Sequence, residues 1–312
     1  MPVYAGEKMN TAILSDKRKS IAGTVYTVIS FAMWGVLPGY WKMLQSVPAD
    51  EIVCHRIIWT FVISIVLVLF TGRREALLNI LKNRKFRVIV FFSSLTIVSN
   101  WLIYVYAVNT GHIVEASLGY FINPLVSILL GMIVLRERLT RIQITALILA
   151  ACAVIYMAVD LGSFPWIALS LAFTFGLYGL IKKMGDLDSI ASLGVETLFL
   201  LPAAGYIIIF KEYSGTGAMG NSSLALVLVL LGTGVVSAVP LFLFAQGARM
   251  IPLSRIGFIQ YISPSIMLLI GVAVYGENFS FTHTVSFSLI WCALILYTSS
   301  SLLKKGRAFY SE

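Results

Sequence analysis

The chain has 312 residues, of which 59% are hydrophobic and only 12% are charged, and its mean hydropathy is +0.90. Soluble domains contain about 45–50% apolar and about 25% charged residues, so this composition excludes a soluble fold and indicates that lipid surrounds most of the chain. The net charge of +9 would suggest a nucleic-acid partner. We exclude one, because the basic residues lie in short gaps between apolar runs, where they report membrane orientation instead.

Ten apolar runs follow one another along the chain, each close to the 20 or so residues that a membrane-spanning helix needs. Residues 1–20 precede the first run and residues 304–312 follow the last, and we expect both to be cytoplasmic tails. The connections are short, and no linker or separate soluble domain is expected. The predicted spans are 21–43, 52–71, 88–108, 113–135, 141–159, 165–182, 189–210, 224–244, 256–275 and 284–303.

The distribution of Lys and Arg predicts the orientation of these spans. With a cytoplasmic N-terminus, 20 of the 23 basic residues fall in cytoplasmic loops, span ends or tails, residues 182 and 183 among them. Four outward loops, at 44–50, 109–112, 160–164 and 276–283, contain none. Positive charge accumulates on the cytoplasmic side of membrane proteins, so we expect both termini to be cytoplasmic.

The two halves of the chain match each other at an offset near 140 residues. The sequence Ile-Asn-Pro at 122–124 corresponds to Ile-Ser-Pro at 262–264. Trp-Gly at 34–35 corresponds to Phe-Gly at 175–176, one residue off that register. Several matches in nearly one register indicate an internal repeat.

Each half of the chain, 21–160 and 161–303, contains five predicted spans. Because five is odd, the second half must insert with the opposite topology to the first. The predicted fold is therefore an all-α integral membrane protein of ten transmembrane helices, built as two inverted five-helix repeats. Such repeats are a transporter architecture, with the substrate site near the middle of the membrane.

Several runs resemble one known family. The most distinctive is Glu-Ala-Ser-Leu-Gly-Tyr-Phe-Ile-Asn-Pro-Leu at 115–125. The others are Trp-Gly at 34–35, Tyr-Trp-Lys at 40–42, Pro-Ala-Asp-Glu-Ile at 48–52, His-Arg at 55–56, Asn-Trp at 100–101, Glu-Thr at 196–197 and Gln-Tyr-Ile at 260–262. Together they resemble the RarD branch of the EamA family, in the drug/metabolite transporter superfamily, over nearly the whole chain. The resemblance implies a ten-helix, exporter-like permease of the inner membrane, in a branch with poorly defined substrates whose members are associated by name with chloramphenicol.

Two charged residues lie inside predicted spans. Arg56 is about five residues inside span 2, and Glu196, 140 residues later, is about seven residues inside span 7. A charge at the centre of a membrane helix costs about 2.5–3.5 kcal/mol on insertion scales. The inverted repeat places the two at different depths, about 10–15 Å apart along the membrane normal, so we expect no direct salt bridge. Both are candidate cavity or gate charges, and the alternative is that each satisfies neighbouring polar groups as part of the packing.

Pro124 and Pro264 are expected to interrupt spans 4 and 9. A proline inside a helix frees a carbonyl and bends the chain, and free backbone at membrane depth is tolerated where it lines a cavity or packs in protein. We expect a cavity beside these prolines, with a packing kink as the alternative. Neighbouring polar residues that could contact a substrate, or serve as ordinary hydrogen bonds between helices, are Tyr120, Asn123, Gln260 and Tyr261.

A set of aromatic residues lies too deep in the spans to belong to an interface belt. They either pack in the core or form the walls of an aromatic pocket, which would suit amphipathic or aromatic solutes. These residues are Trp34, Trp101, Tyr104, Phe175 and Tyr178. Tyr40 and Asn100, from the runs that resemble the family, complete the candidate substrate site.

The remaining polar residues predict no cofactor. Glu137 and Glu277, just past spans 4 and 9, are expected to cap the next helix or hold a loop, and a role in transport is the alternative. The three histidines have no acidic or cysteine partner at ligand spacing, so no metal site is expected. The three cysteines lie far apart in apolar runs and are expected to be buried structural thiols. No phosphate-binding loop occurs, so neither ATP nor an ATPase subunit is expected.

The function that these features favour is secondary transport of a small organic solute by alternating access, without enzymatic activity. A channel is one alternative, but channels normally build a ring of ligands from assembled subunits. An intramembrane enzyme is another, and it would need an acid/base or nucleophile constellation at one depth. The expected partners are a small-molecule substrate and the lipid bilayer, and the expected unit is a monomer.

Overall fold

The computed structural model describes residues 2–110, 112–162, 164–275 and 281–309, and in these residues it contains helices and no strand. Glu277 and most of the loop at 276–283, which is predicted to face outward, lie outside the described residues. The helices are α1 (Pro2–Lys42), α2 (Ala49–Phe70), α3 (Arg74–Lys82), α4 (Arg84–Asn109), α5 (Ile113–Ile133), α6 (Arg141–Leu161), α7 (Trp166–Gly185), α8 (Ser189–Tyr213), α9 (Ala218–Asn221), α10 (Leu224–Met250), α11 (Leu253–Gln260), α12 (Ile262–Tyr275) and α13 (Phe281–Phe309).

Ten helical segments in the described residues are long and apolar enough to cross a membrane, as the sequence predicts. They correspond one by one to the predicted spans, with α11 and α12 together forming span 9. The first helix begins at Pro2, well before the predicted start at residue 21. The predicted N-terminal tail is therefore helical and continuous with span 1.

Two short helices lie in connections for which the sequence predicted no helix. α3, in the connection at 72–87, has nine residues and is too short to cross a membrane. Its Ile80 is buried against Val90 of α4 and against Ala191 and Val195 of α8. This docking holds α3 against the end of the bundle. The four-residue α9 lies between spans 7 and 8.

The two prolines have different effects. α5 continues as a single helix through Pro124, so the predicted interruption of span 4 is wrong. Span 9 is divided at Tyr261, three residues before Pro264. Because Pro264 has no backbone N–H, the carbonyl of Gln260 loses its usual helical partner, and the chain makes a tight turn there, with the Tyr261 N–H donating to the Phe258 carbonyl.

The helices of the two halves pack in matching pairs. Span 1 packs against span 8 as span 6 packs against span 3, and span 9 packs against span 1 as span 4 packs against span 6. Spans 2 and 7, 4 and 9, and 5 and 10 each pair with their own counterpart. This is the arrangement that two repeats related by a two-fold axis produce.

Two helix crossings show the correspondence in detail. A Cβ atom on Gly35 would lie 2.7 Å from Cβ of Ile266, and a Cβ atom on Gly176 would lie 2.8 Å from Cγ1 of Val126. These residues are counterparts in the repeat, Gly35 with Gly176 and Val126 with Ile266. Both crossings therefore depend on the absence of a side chain, as small residues allow in membrane helices.

The prediction of buried thiols holds for only one of the three cysteines. Cys54 is buried, whereas Cys152 on α6 and Cys292 on α13 are exposed. α6 and α13 pack against each other at the edge of the bundle, so their outer faces are apolar without being buried in protein. The sequence could not distinguish these positions because lipid and protein core accept the same side chains.

Candidate functional site

A cavity of about 130 Å³ lies between the two halves, lined by residues of spans 1, 2, 3, 4, 6, 8 and 9. The lining residues lie in the half of the bundle that is remote from the chain termini, or at the middle of the bundle. Ten predicted site residues line it: Trp34, Arg56, Asn100, Trp101, Tyr104, Tyr120, Asn123, Phe175, Gln260 and Pro264. The structure thus brings together two thirds of the predicted set.

Arg56 is the charged residue that lines this cavity. Its Nε atom donates to Oγ of Ser237 at 3.1 Å. The centre of the guanidinium lies 4.3 Å from the ring centroid of Trp101 and 4.8 Å from that of Trp41. An aromatic face stabilises a nearby cation without neutralising it, so the positive charge remains available to the cavity.

Amide side chains tie the cavity walls together. Nδ2 of Asn100 donates to the Leu171 carbonyl at 2.8 Å and so joins span 3 to span 6. Oε1 of Gln260 accepts from Oγ of Ser127 at 3.2 Å and joins span 9 to span 4. Oδ1 of Asn123 is buried and has no hydrogen-bond partner among the described residues. An unpartnered buried acceptor is costly, so a ligand that supplies a donor would stabilise this position.

The cavity ends on a cluster of five aromatic rings, which we call the aromatic plug: Phe31, Trp34, Phe175, Tyr178 and Phe244. The Phe244 ring lies 5.8 Å from Trp34, 5.3 Å from Phe175 and 5.8 Å from Tyr178, stacked on the last. Phe31, Trp34 and Phe175 line the cavity, whereas Tyr178 and Phe244 are fully buried behind them. The plug separates the cavity from the half of the bundle that carries the termini.

Glu196 does not line the cavity. Its carboxylate forms an ion pair with Lys182, and it accepts from Oγ of Ser93 at 2.8 Å and from the Tyr178 hydroxyl at 3.4 Å. Lys182 also donates to Oγ of Ser192 at 2.8 Å. Lys182 is one of the basic residues predicted to lie at a cytoplasmic span end, but its side chain is buried. Tyr178, predicted as a possible pocket wall, belongs to the core because it packs between this ion pair and Phe244.

Three other predicted site residues also lie off the cavity. The Tyr40 hydroxyl donates to the Val229 carbonyl, which fixes the ring against α10. Tyr261 is fully buried, and its hydroxyl donates to the Phe121 carbonyl at 3.3 Å. Pro124 is buried inside α5, at the crossing with α11. Each has a structural partner that occupies the surface expected to meet a substrate.

Eleven lining residues were not predicted from the sequence. Ser263 is the counterpart of Asn123 in the repeat, so the repeat itself could have identified it. Trp41, Ala116 and Gly119 belong to runs that resemble the family. Most of the others are apolar or small, and no sequence signal separates them from core residues. The full set is Phe31, Leu37, Pro38, Trp41, Ile97, Ala116, Gly119, Leu171, Leu241, Ser263 and Met267.

Carboxylates outside the cavity hold helix N-termini, where free backbone N–H groups attract negative charge. Glu137 accepts from the backbone N–H groups of Leu253 and Ser254 at 2.7 and 2.8 Å, so it caps a helix, but not the next helix of the chain, α6, as was predicted. That helix is α11, more than a hundred residues along the chain. Glu115 accepts in the same way from Ile167 at the start of α7, at 2.7 Å. Among the residues that the structure describes, no three His, Cys, Asp or Glu side chains group to hold a metal ion.

Comparison with known proteins identifies the family. The model of the EamA-like transporter family matches the chain twice, over residues 21–159 and 164–299. The chain belongs to the EamA-like transporter family. It is therefore a multi-pass membrane transporter, and the two matches cover one half of the ten-helix bundle each.

Relatives named RarD support the RarD branch of the EamA family. The chain is 39% identical to "Protein RarD" of Escherichia coli (strain K12), over 94% of this chain and 99% of the relative. It is 46% identical to "Uncharacterized transporter YojE" of Bacillus subtilis (strain 168), over 90% of this chain and 94% of the relative. "Chloramphenicol-sensitive protein RarD" of Pseudomonas aeruginosa is 26% identical, over 92% of this chain and 98% of the relative.

A solved crystal structure shares the fold. It superposes with a TM-score of 0.66 and covers 88% of this chain and 96% of its own, at 15% sequence identity. At that identity the likeness concerns the fold alone.

Proposed function

We propose that this EamA family member is a secondary transporter of the inner membrane that moves a small organic solute by alternating access, with both termini in the cytoplasm. The observation that carries the proposal is the cavity between the two halves, which ends at the aromatic plug. With cytoplasmic termini, the cavity lies in the outer half of the membrane. The inner half is filled by the plug and by the ion pair of Lys182 and Glu196. This arrangement corresponds to the outward-facing state of a carrier.

The repeat supplies the route to the opposite state. If the halves are inverted, each element of the outer half has a counterpart in the inner half, and exchanging their conformations opens the other side. Counterparts already meet at the centre of the bundle, since Trp34 and Phe175 correspond in the repeat and pack together. A cavity shared by both halves is the position at which such an exchange would carry a solute across.

The alternatives fit the geometry less well. A channel in its conducting state needs a continuous path, and five packed aromatic rings interrupt this one. An intramembrane enzyme would bring acid/base groups to one depth. Here Arg56 lines the cavity, whereas Glu196 lies beyond the plug and is already paired.

Counterflow in proteoliposomes tests the proposal. The purified protein would be reconstituted and preloaded with members of a metabolite panel, including chloramphenicol because one relative's name mentions it. We expect saturable uptake of a labelled solute only when a competent solute is inside, and no unitary currents in planar bilayers. Protein-free liposomes are the control. Unitary currents, or the absence of counterflow across the panel by protein that is monodisperse and folded, would contradict the proposal.

A further inference from the structure

We propose that the cavity recognises a small organic carboxylate with an apolar or aromatic body, and that the guanidinium of Arg56 binds the carboxylate. This inference rests on the proposed transport function and names its substrate class. It follows from the charge that the cavity contains and from the groups that surround this charge.

The Arg56 guanidinium lacks a counter-ion within the described part of the chain. The ion pairs seen there join other residues, and none includes Arg56. Three carboxylates that the structure describes in the same outer region already have other partners. Asp50 pairs with Lys211 at 2.6 Å, Glu51 accepts from the Ala218 N–H at 2.6 Å, and Glu115 caps α7.

The contacts of Arg56 orient it without neutralising it. Oγ of Ser237 accepts a hydrogen bond from the Nε–H of Arg56, and the rings of Trp41 and Trp101 lie close to the guanidinium. Neither hydroxyl nor indole carries a negative charge. The two Nη groups have no hydrogen-bond partner among the described residues. They can donate two parallel hydrogen bonds to one carboxylate. A cation kept at membrane depth without a counter-ion is costly, and an anionic ligand offsets this cost.

The rest of the cavity favours a carboxylate over a phosphate. Among the described residues that line the cavity, Arg56 is the one cation, and most of the others are apolar or aromatic. A dianionic phosphate would bring an uncompensated charge into this surface, whereas one carboxylate matches one guanidinium. Trp34, Tyr104 and Phe175 then provide an aromatic wall for the body of the ligand. The unpartnered Oδ1 of Asn123 offers an acceptor for a hydroxyl or amine on that body.

Binding of matched probes to the purified wild-type protein tests the charge requirement. The probes are benzoate, 3-phenylpropanoate and indole-3-acetate, each with its neutral amide and its amine analogue of the same size. Affinity is measured by titration calorimetry and by tryptophan fluorescence, because three tryptophans line the cavity. We expect at least one carboxylate to bind about tenfold or more tightly than its amide, as loss of a charge-assisted pair implies, and the amines to bind most weakly. Equal binding of acid and amide, tighter binding of an amine, or no binding of any acid would overturn the inference.

Variants locate the charge. Arg56→Met should bring acid and amide to equal affinity, and Arg56→Lys should keep a preference for the acid that is weaker than in wild type, because lysine lacks the fork. Arg249→Met is the matched control, since Arg249 pairs with Asp186 at the other end of the bundle, and it should keep the wild-type preference. If Arg56→Met is not monodisperse, the wild-type series and Arg56→Lys still decide.

The outcomes separate this inference from the proposed transport function. Counterflow of neutral solutes without acid preference would leave transport standing and overturn the carboxylate site. Tight, Arg56-dependent binding of an acid without counterflow of that acid would support the site and contradict transport.

Discussion

Trp34 packs edge-on against Phe175, with ring centroids 5.5 Å apart and planes at 81°. The two residues correspond in the repeat, so the contact joins the same position of the two halves. It also lies at the base of the cavity, where both rings form part of the aromatic plug. This pair of side chains therefore takes part both in the contact between the halves and in the closure of the cavity.

The paired glycine crossings predict matched losses of stability. Gly35→Ala and Gly176→Ala each place a methyl group under 3 Å from a neighbouring side chain, and such overpacking costs about 1–3 kcal/mol. We expect both variants to lower the Tm in detergent. Gly205→Ala is the control, because nothing lies within 4 Å of its Cβ position, and it should not destabilise. Val126→Ala removes the Cγ1 atom that the new methyl group on Gly176 would meet, so it should restore stability to Gly176→Ala but not to Gly35→Ala, and equal rescue of both would refute the proposed contacts.

Alternating access predicts opposite effects for two cross-links between spans 4 and 9. A Cβ atom on Gly257 would lie 2.5 Å from Cγ1 of Ile128, so a disulfide between Ile128→Cys and Gly257→Cys should lock the inner side closed. The counterparts of these positions at the offset of 140 are Leu268 and Ser117. A disulfide between Ser117→Cys and Leu268→Cys should close the outer side instead.

The readout for these cross-links is a third cysteine, Met267→Cys, in the cavity wall. Small thiol reagents should reach it only from outside in the first locked form and only from inside in the second, in right-side-out and inverted vesicles. Both forms should lose counterflow and regain it on reduction. Access from the same side in both forms would rule out exchange between the halves.

The ion pair of Lys182 and Glu196 predicts non-additive mutant effects. Removing one partner of a buried ion pair leaves an uncompensated charge and costs about 3–5 kcal/mol. We therefore expect Glu196→Gln and Lys182→Met each to lower Tm and membrane abundance. The double variant should recover most of the loss, as a double-mutant cycle by thermal unfolding would show. Additive losses would indicate that the pair contributes little in the folded protein.

Recovery of the double variant also tests whether Glu196 carries a coupling proton. If the carboxylate is structural, the stable double variant should keep counterflow and should respond to a pH gradient and an uncoupler as wild type does. Loss of the response to pH with retained counterflow would assign proton coupling to Glu196.

Orientation is tested by labelling single cysteines in a cysteine-free background. Thr110→Cys and Phe164→Cys, both exposed, should react with an impermeant maleimide added to intact cells. Asn79→Cys on α3 and Asp186→Cys, also exposed, should react only after permeabilisation. Ile80, the neighbouring residue on α3, is unsuitable for labelling because it is buried. Labelling of Asn79→Cys in intact cells would reverse the orientation.

The sequence by itself determined the number of spans, the internal repeat and the family, because each depends on an apolar run or on local residue identity. It also identified most cavity residues that are polar or aromatic at membrane depth, such as Arg56, Asn100 and Asn123. Such residues are costly in lipid, so the sequence alone predicts that they face the protein interior or a cavity.

Only the tertiary structure decided what those partners are. Arg56 and Glu196 are both charged residues inside predicted spans, yet Arg56 lines the cavity and Glu196 pairs with Lys182. They differ because the direction in which each side chain points depends on the neighbouring helices. The same reason separates Cys54 from the lipid-exposed Cys152, and Trp34 from the buried Tyr178. The position of a residue in a hydrophobic run determines its depth in the membrane. The direction in which its side chain points depends on packing between helices from both halves of the chain.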